Sequence, residues 1–206
     1  MMKRTPLLIS VLLPVLLTAS PRGALAFEPP QSWYEDGGYA APAGMRIVAC
    51  HGYGCSRRME MVMDEGLLSR IGAALKAGRG SPEADRRALS EAVRAYTAYL
   101  AASFGSDPDT PGSPPHLSGV SGQMDCVDET TNTTSLLLVL EEQGWLVHHR
   151  VERPQSRGLF IDGRYPHVTA IVAEKRTGRE WAVDPWRRAP GQRPDILPLE
   201  RWRQES

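Results

Sequence analysis

Cysteine is scarce in this chain, with three among 206 residues, and no C-x-x-C motif of the kind used by thiol–disulfide oxidoreductases is present. Neither sign of charge dominates, because 24 Lys and Arg residues face 24 Asp and Glu residues. A balanced chain offers no basic footprint for a nucleic acid or for an anionic membrane surface. We therefore expect no nucleic-acid partner and no thiol–disulfide redox function.

Long apolar runs are also rare, and the one at residues 7–17 is too short to span a membrane. Lys3 and Arg4 precede this run, and residues 24–26 read Ala-Leu-Ala, which is typical of a cleavage site. We predict a signal peptide over residues 1–26. Its removal leaves 21 basic against 24 acidic residues, a net charge of −3. The mature chain is expected to be soluble and exported, in a bacterial periplasm or outside the cell, with no membrane span.

Export makes a disulfide possible, because disulfides persist outside the cytosol. Cys50 and Cys55 lie in the stretch VACHGYGC, where a short glycine-containing loop separates them. Such a loop can bring two thiols within bridging range, so we predict a Cys50–Cys55 disulfide. Two unpaired cysteines remain the alternative. With the disulfide formed, Cys126 is the one thiol left over, and an odd cysteine in an exported protein requires an explanation.

The 180 residues after the predicted signal are enough for one domain with a sizeable core. Residues 27–45 are rich in Pro and Gly and are predicted to be an extended lead-in, followed by a single domain over 46–206. Hydrophobic periodicity predicts strands at 46–49 and 58–63 and helices over 65–77 and from 82 to about 105. A long turn-rich loop at 106–122 follows, and loops of this length are often functional.

The second half predicts one helix over 126–143, closed by Gly144, and strands at 145–152, 166–173 and 180–186. A loop is expected at 153–166, and the tail at 195–202 is expected to dock on the sheet. Helices come first, followed by a helix and several strands. This order indicates an α+β fold with a small antiparallel sheet.

The turn at residues 175–178 sets the register of the last hairpin. If the turn has four residues, Thr169 lies opposite Asp184, and His167 is the diagonal neighbour of Asp184 on the same face of the sheet. The two side chains are then close enough to hydrogen-bond. A two-residue turn at 177–178 preserves the shared face but moves the pair further apart.

Cys126 opens the predicted helix, at a sharp change from Gly, Ser and Gln to an apolar run. A helix N-terminus carries a partial positive charge and free N–H groups, so we expect a lowered thiol pKa there. His167 could accept the thiol proton, Asp184 could orient the imidazole, and Gln123 is a possible oxyanion donor. The alternative for Cys126 is a buried small apolar side chain.

These residues resemble the transglutaminase-like branch of the papain-like cysteine peptidase superfamily, with the bacterial transglutaminase-like cysteine proteinases as the nearest comparison. The resemblance covers about residues 120–190 and depends on Cys126 opening a helix, His167 on a strand and Asp184 in WAVDPW. It implies a Cys-bearing helix packed on an antiparallel sheet. It also implies nucleophile, general-base and orienting roles for Cys126, His167 and Asp184.

The function expected from this resemblance is an exported thiol enzyme that forms an acyl-enzyme at Cys126. Its substrate would be an amide in a protein, a peptide or a cell-wall cross-link, and it would hydrolyse or transfer the acyl group without a cofactor. The alternative is a non-catalytic binding or structural domain with the same fold. A metal site is not expected, since Cys50, His51 and Cys55 fit no familiar zinc spacing.

Overall fold

The computed structural model of this protein describes residues 28–105, 108–158 and 166–205. The predicted signal peptide, residues 1–26, lies outside these ranges. A single turn of 3₁₀ helix is found at Pro115–Leu117. The other elements are, in chain order, α1 Gln31–Gly37, β1 Arg46–His51, β2 Arg57–Val62, α2 Glu65–Ala77, α3 Pro82–Phe104, α4 Cys126–Glu142, β3 His149–Arg157, β4 His167–Glu174, β5 Glu180–Asp184, β6 Asp195–Pro198 and α5 Leu199–Gln204.

The helix α4 lies at the centre of the molecule, and each of its residues from 128 to 140 is buried. A helix that is buried on all sides must pack on more than one partner. Strands β3 and β4 contact it, and so does β1. The apolar run Leu136–Leu140 fills the core. The first turns of the helix are polar, and Cys126 lies at its N-terminal end.

The main sheet is an antiparallel meander in the order β3-β4-β5-β6, and β1 and β2 form a separate antiparallel hairpin. The predicted α+β class is confirmed in its coarse form, as helices combined with small antiparallel sheets. Strand β4 lies in the interior of the main sheet and is buried at all but one of its eight positions. It therefore provides a rigid support for a side chain at its first residue, His167.

The predicted register of the β4–β5 hairpin is confirmed. Ala170 pairs with Val183 and Ala173 with Glu180, which is the alignment that a four-residue turn at 175–178 produces. The hydroxyl of Thr169 donates to the carbonyl of Val183 at 2.9 Å, next to Asp184. His167 and Asp184 consequently lie on one face of the sheet.

The predicted tail at 195–202 docks on the sheet as expected. Residues 195–198 add the fourth strand, β6, and α5 then turns back over β5. Trp202 and Leu199 are buried there against Ile171 and Ala182, in a small apolar cluster separate from the main core. This cluster brings the indole of Trp202 to the end of β5.

Three local predictions were wrong. The lead-in is not extended throughout, since residues 31–37 form α1, and Tyr34 is buried in the core with its hydroxyl on Ser135. The strand expected at 145–152 begins at His149 and continues to Arg157, across an irregularity between Glu152 and Gln155 that accommodates a proline. The strand expected over 180–186 ends at Asp184.

Helices α2 and α3 follow the predicted boundaries because their caps are strong. The Asp64 side chain accepts from the amide of Leu67, and Ser81 accepts from Ala84 ahead of Pro82. In the part of the chain that the structure describes, none of the helices combines the length and the apolar character required to cross a bilayer.

Candidate functional site

Cys126 is the first residue of α4, as predicted, and Asp125 caps the helix. One Asp125 oxygen accepts from the amides of Val127 and Asp128, both at 3.0 Å, and the Asp128 side chain accepts in turn from the amide of Asp125. This is a reciprocal capping box. The Glu129 amide bonds the carbonyl of Asp125. The amides that the Asp125 side chain caps are thus those of the second and third residues of the helix, Val127 and Asp128, and the amide of Cys126 is not among them.

The predicted Cys50–Cys55 disulfide is present, and its loop lies against the start of α4. Residues 52–55 all have positive φ, so successive amides point to one side. The amides of Tyr53 and Cys55 donate to Asp128 at 2.7 and 2.6 Å, and that of Gly54 donates to Asp125 at 3.0 Å. The loop thereby forms an anion-binding nest for the two capping carboxylates.

Asn132 makes a second connection between α4 and the same loop. The side-chain amide of Asn132 accepts from the amide of Cys50 at 2.7 Å and donates to the carbonyl of Cys50 at 2.8 Å. Asn132 thus satisfies the backbone of β1 as a neighbouring strand would. The position of the Cys126 end of the helix is fixed by the disulfide loop through Asp125, Asp128 and Asn132.

Cys126 is partly exposed as a residue, and its sulfur lies beside β4. The backbone amide of Val168, the residue after His167, hydrogen-bonds the sulfur and favours the thiolate. Burial, together with the carboxyl groups of Asp125, Glu129 and Asp184, outweighs this and raises the pKa of Cys126 to about 11. The expected lowering of the thiol pKa is therefore wrong for the resting structure, because burial of the thiol, followed by the neighbouring carboxyl groups, disfavours the thiolate.

His167 and Asp184 form a buried pair, with the imidazole Nε2 2.7 Å from the Asp184 Oδ2. Because a carboxylate only accepts, Nε2 carries the hydrogen and Nδ1 of the neutral ring is an acceptor. Nδ1 is buried and has no hydrogen-bond partner among the described residues. The ring therefore keeps one basic nitrogen free, next to the Val168 amide that contacts the thiol.

Two tryptophans enclose this pair. The indole of Trp186 lies 4.4 Å from the His167 ring, centroid to centroid, and that of Trp202 lies 5.5 Å away. The Trp202 Nε1 donates to the Asp184 Oδ2 at 2.7 Å, and the amide of Trp186 donates to Oδ1 at 3.2 Å. Burial alone would raise the pKa of Asp184, but the bonds from His167, Trp202 and Trp186 outweigh it and lower that pKa.

Gln123 is buried, and both ends of its side-chain amide are engaged in the loop before α4. Its Oε1 accepts from the amide of Thr110 and its Nε2 donates to the carbonyl of Pro108, both at 3.0 Å. Its backbone carbonyl accepts from the amide of Gly52 in the disulfide loop. Through these contacts Gln123 holds the loop before α4 in place. Its role as an oxyanion donor stays a prediction.

Two buried acids near the start of α4 are not among the site residues predicted from the sequence. Asp109 accepts from the amide of Met124 at 2.5 Å, and burial raises the pKa of Asp109 to about 7. Glu129, 5% exposed, has an Oε2 that is buried with no partner among the described residues. Burial, followed by the charges of Asp109 and Asp184, raises the pKa of Glu129 well above its ordinary range. The i, i+3 spacing from Cys126 is the sequence signal that could have identified Glu129.

Within the described ranges, one group of side chains has the geometry to attract a metal, and it comprises Cys50, Cys55 and Asp128, whose ligand atoms lie within 4.8 Å of one another. The chemistry of this set does not suit a metal. The two sulfurs are joined in the disulfide, and both oxygens of Asp128 accept backbone amides. The set serves to hold the loop.

A second His–Asp pair lies outside the site. His149 Nδ1 is 2.8 Å from Asp85 Oδ2, between β3 and α3, and both side chains are buried. The other ring nitrogen, Nε2, is 3.3 Å from the guanidinium of Arg86. Both nitrogens of this imidazole are occupied, and the free cysteine, Cys126, instead accepts a hydrogen bond from the amide of Val168, the residue after His167.

Comparisons with protein-family models, with curated proteins and with solved structures find no match for this chain. Cys126, His167, Asp184 and the residues around them are therefore the basis for assigning a function.

Proposed function

We propose that this protein is an exported thiol enzyme that forms an acyl-enzyme at Cys126 and then hydrolyses or transfers the acyl group. The observation that carries the proposal is the His167–Asp184 pair, which lies near the start of α4 because the amide of Val168, the residue after His167, hydrogen-bonds the Cys126 sulfur. Nδ1 of His167 has no hydrogen-bond partner among the described residues, so in the resting structure it does not bond the thiol. A central helix that begins with the cysteine and packs on an antiparallel sheet that carries His and Asp supports a papain-like, transglutaminase-like core. The Cys50–Cys55 disulfide supports export.

In this mechanism the thiol is neutral at rest and is activated as it reacts. Nδ1 of His167 takes the thiol proton while the sulfur forms a bond to the carbonyl carbon of an amide. Asp184 holds the Nε2–H tautomer and stabilises the imidazolium that results. The imidazolium then protonates the leaving amine, and water or a second amine attacks the thioester.

The raised pKa of Cys126 is consistent with general-base activation, because the thiolate is generated only when a base accepts the proton. It also favours a second candidate, a binding or structural domain in which Cys126 is inert. The unpartnered imidazole nitrogen of His167, in the residue before the Val168 amide that bonds the Cys126 sulfur, favours the enzyme over that candidate. A purely structural histidine would have satisfied both ring nitrogens, as His149 does.

The proposal is tested by trapping the acyl-enzyme. The mature protein is mixed with an N-acetylated peptide thioester, and intact and peptide mass spectrometry locate the adduct. We expect acylation of Cys126, loss of the adduct in Cys126→Ala, and much slower formation in His167→Ala. Addition of an amine such as glycinamide then separates hydrolysis from transfer by the product formed. An adduct that forms at the same rate without His167 would contradict the proposal.

A further inference from the structure

Glu129 lies one turn after Cys126 on the same face of α4, since side chains at i and i+3 are neighbours on a helix. Side chains on a helix lean toward its N-terminus, so the carboxyl group of Glu129 covers the turn that Cys126 begins. By this geometry the carboxyl group of Glu129 is expected close to the N-terminal end of α4, where a substrate carbonyl would meet the thiol.

The surroundings of Glu129 favour its neutral, protonated form. The charges that act on it are those of four other carboxyl groups, Asp109 from the preceding loop, Asp184 from β5, and Asp125 and Asp128 from its own helix. A carboxyl group that is buried among acids keeps its proton, and a protonated carboxyl group is a hydrogen-bond donor. Oε2 nevertheless has no partner within the described residues.

An unpaired buried polar atom costs free energy and calls for an explanation. Two neighbouring features suggest a role for it. The Asp125 side chain caps the amides of Val127 and Asp128 but not that of Cys126, and the side-chain amide of Gln123 is already engaged with Thr110 and Pro108. An acyl-transfer site requires donors for the oxyanion that forms on the attacked carbonyl.

We propose that Glu129, as a neutral carboxylic acid, donates a hydrogen bond to this oxyanion together with the backbone amide of Cys126. The inference rests on the proposed function. The Cys126 sulfur bonds to the carbonyl carbon, its proton passes to His167 Nδ1, and the π electron pair of the carbonyl moves to the oxygen. Glu129 shares its proton with that oxygen and retains it when the intermediate collapses and the leaving group departs.

Two reagents separate this role from activation of the thiol. Iodoacetamide alkylates sulfur by displacement at a saturated carbon, so no oxyanion forms. p-Nitrophenyl acetate acylates the same sulfur through a tetrahedral oxyanion and releases p-nitrophenolate. The ratio of the two rate constants at Cys126 therefore measures oxyanion stabilisation independently of the reactivity of the thiol.

We expect Glu129→Leu to lower this ratio by about 10²-fold, the usual effect of removing one oxyanion donor. Glu129→Gln, which keeps an N–H donor, is expected to stay within a few-fold of the wild type. Glu142→Leu and Glu142→Gln, at the exposed far end of the same helix, are matched controls and should leave the ratio unchanged. An unchanged ratio in Glu129→Leu would overturn the inference, and so would an equal loss in both Glu129 variants.

A pH readout keeps the inference falsifiable if Glu129→Leu does not fold. In the wild type the ratio is expected to fall at alkaline pH, as Glu129 loses the proton that it donates, whereas in Glu129→Gln it stays flat. Identical pH profiles would overturn the inference. If iodoacetamide alkylates Cys126 at the same rate in the wild type and in His167→Ala, the proposed function itself fails. This result is distinct from any change in the ratio of the two rate constants.

Discussion

The molecule holds two buried His–Asp pairs of nearly equal geometry, His167–Asp184 at 2.7 Å and His149–Asp85 at 2.8 Å. They differ in what the second ring nitrogen meets. In His149 it faces the guanidinium of Arg86, and in His167 it is unpartnered among the described residues, close to the peptide that contacts the Cys126 thiol. A His–Asp pair alone does not define a catalytic site. The proposed function rests on the second ring nitrogen of His167, which is free to accept a proton, and on the position of Cys126 near it.

The charges around the two pairs differ as well. Arg86 stacks on Trp181 and lies 3.7 Å from Glu174, so the His149 pair is set among compensated charges. The surroundings of the His167 pair are acidic, with Asp109 and Glu129 in raised-pKa positions. The first arrangement joins α3 to the sheet. The second brings together buried acids whose pKa values are raised, and functional sites often contain such groups.

The largest effect is expected from the two alanine variants of the histidines. His167→Ala should lower the rate of Cys126 alkylation by iodoacetamide at pH 7 by about 10²–10⁴-fold, because the general base is lost. His149→Ala should leave that rate unchanged and lower the free energy of unfolding by about 3–5 kcal/mol, because the buried Asp85 loses its imidazole partner and keeps only the amide of His148 as a donor among the described residues. Chemical denaturation of both variants completes the comparison. Equal alkylation rates in the two variants would remove the distinction between the pairs.

A slightly smaller effect is expected from the two carboxylates. Asp184→Asn can present an N–H to His167 Nε2, which shifts the ring proton to Nδ1 and blocks it as an acceptor. We expect alkylation of Cys126 to slow by about 10²-fold. Asp85→Asn, the matched change in the other pair, should not alter alkylation. The rates are measured by quenching the alkylation at set times and quantifying the adduct by mass spectrometry. No slowing in Asp184→Asn would argue against an orienting role for Asp184.

Two tryptophans sharpen the comparison further. Trp202→Phe keeps an aromatic ring over His167 but removes the hydrogen bond to Asp184, which we expect to slow alkylation about tenfold, as loss of a bond to a charged group implies. Trp181→Phe, beside Arg86 in the other pair, is the matched control. Its indole N–H has no partner among the described residues, so no loss is expected there. A similar slowing in both variants would indicate a general packing effect.

The smallest effect concerns stability against pH. The pKa of Asp109 is raised in the folded state to about 7, so its contribution to stability is fully present below the unfolded value of about 3.9 and is lost as pH rises through 7. The melting temperature should be higher at pH 5 than at pH 8. Asp109→Asn should reduce that difference, and the exposed Glu60→Gln should not. A difference unaffected by Asp109→Asn would show that other groups cause it.

Much of the candidate site could be predicted from the sequence because it depends on local rules. The turn at 175–178 fixes which residues share a face of the hairpin, and this placed His167 and Asp184 together. The change of composition at Cys126 marked the helix start, and the short loop between Cys50 and Cys55 indicated the disulfide.

The remainder depends on long-range packing, which no local pattern encodes. Trp202 reaches Asp184 only because α5 folds back over β5. The acids around the thiol come from separate segments, so the reversal of the expected thiol pKa required their positions in space. The engagement of Gln123 by Thr110 and Pro108 likewise arises from the folding of one loop upon itself.

The most direct test of the central claim is the pH dependence of Cys126 alkylation by iodoacetamide in the wild type and in His167→Ala. If Nδ1 of His167 accepts the thiol proton, the wild type reacts readily near neutral pH. The variant has no such base, so its rate follows the thiolate fraction and continues to rise at alkaline pH, as the raised pKa of Cys126 implies. Two superimposable profiles, both rising only toward pH 11, would contradict the claim and make Cys126 an inert thiol.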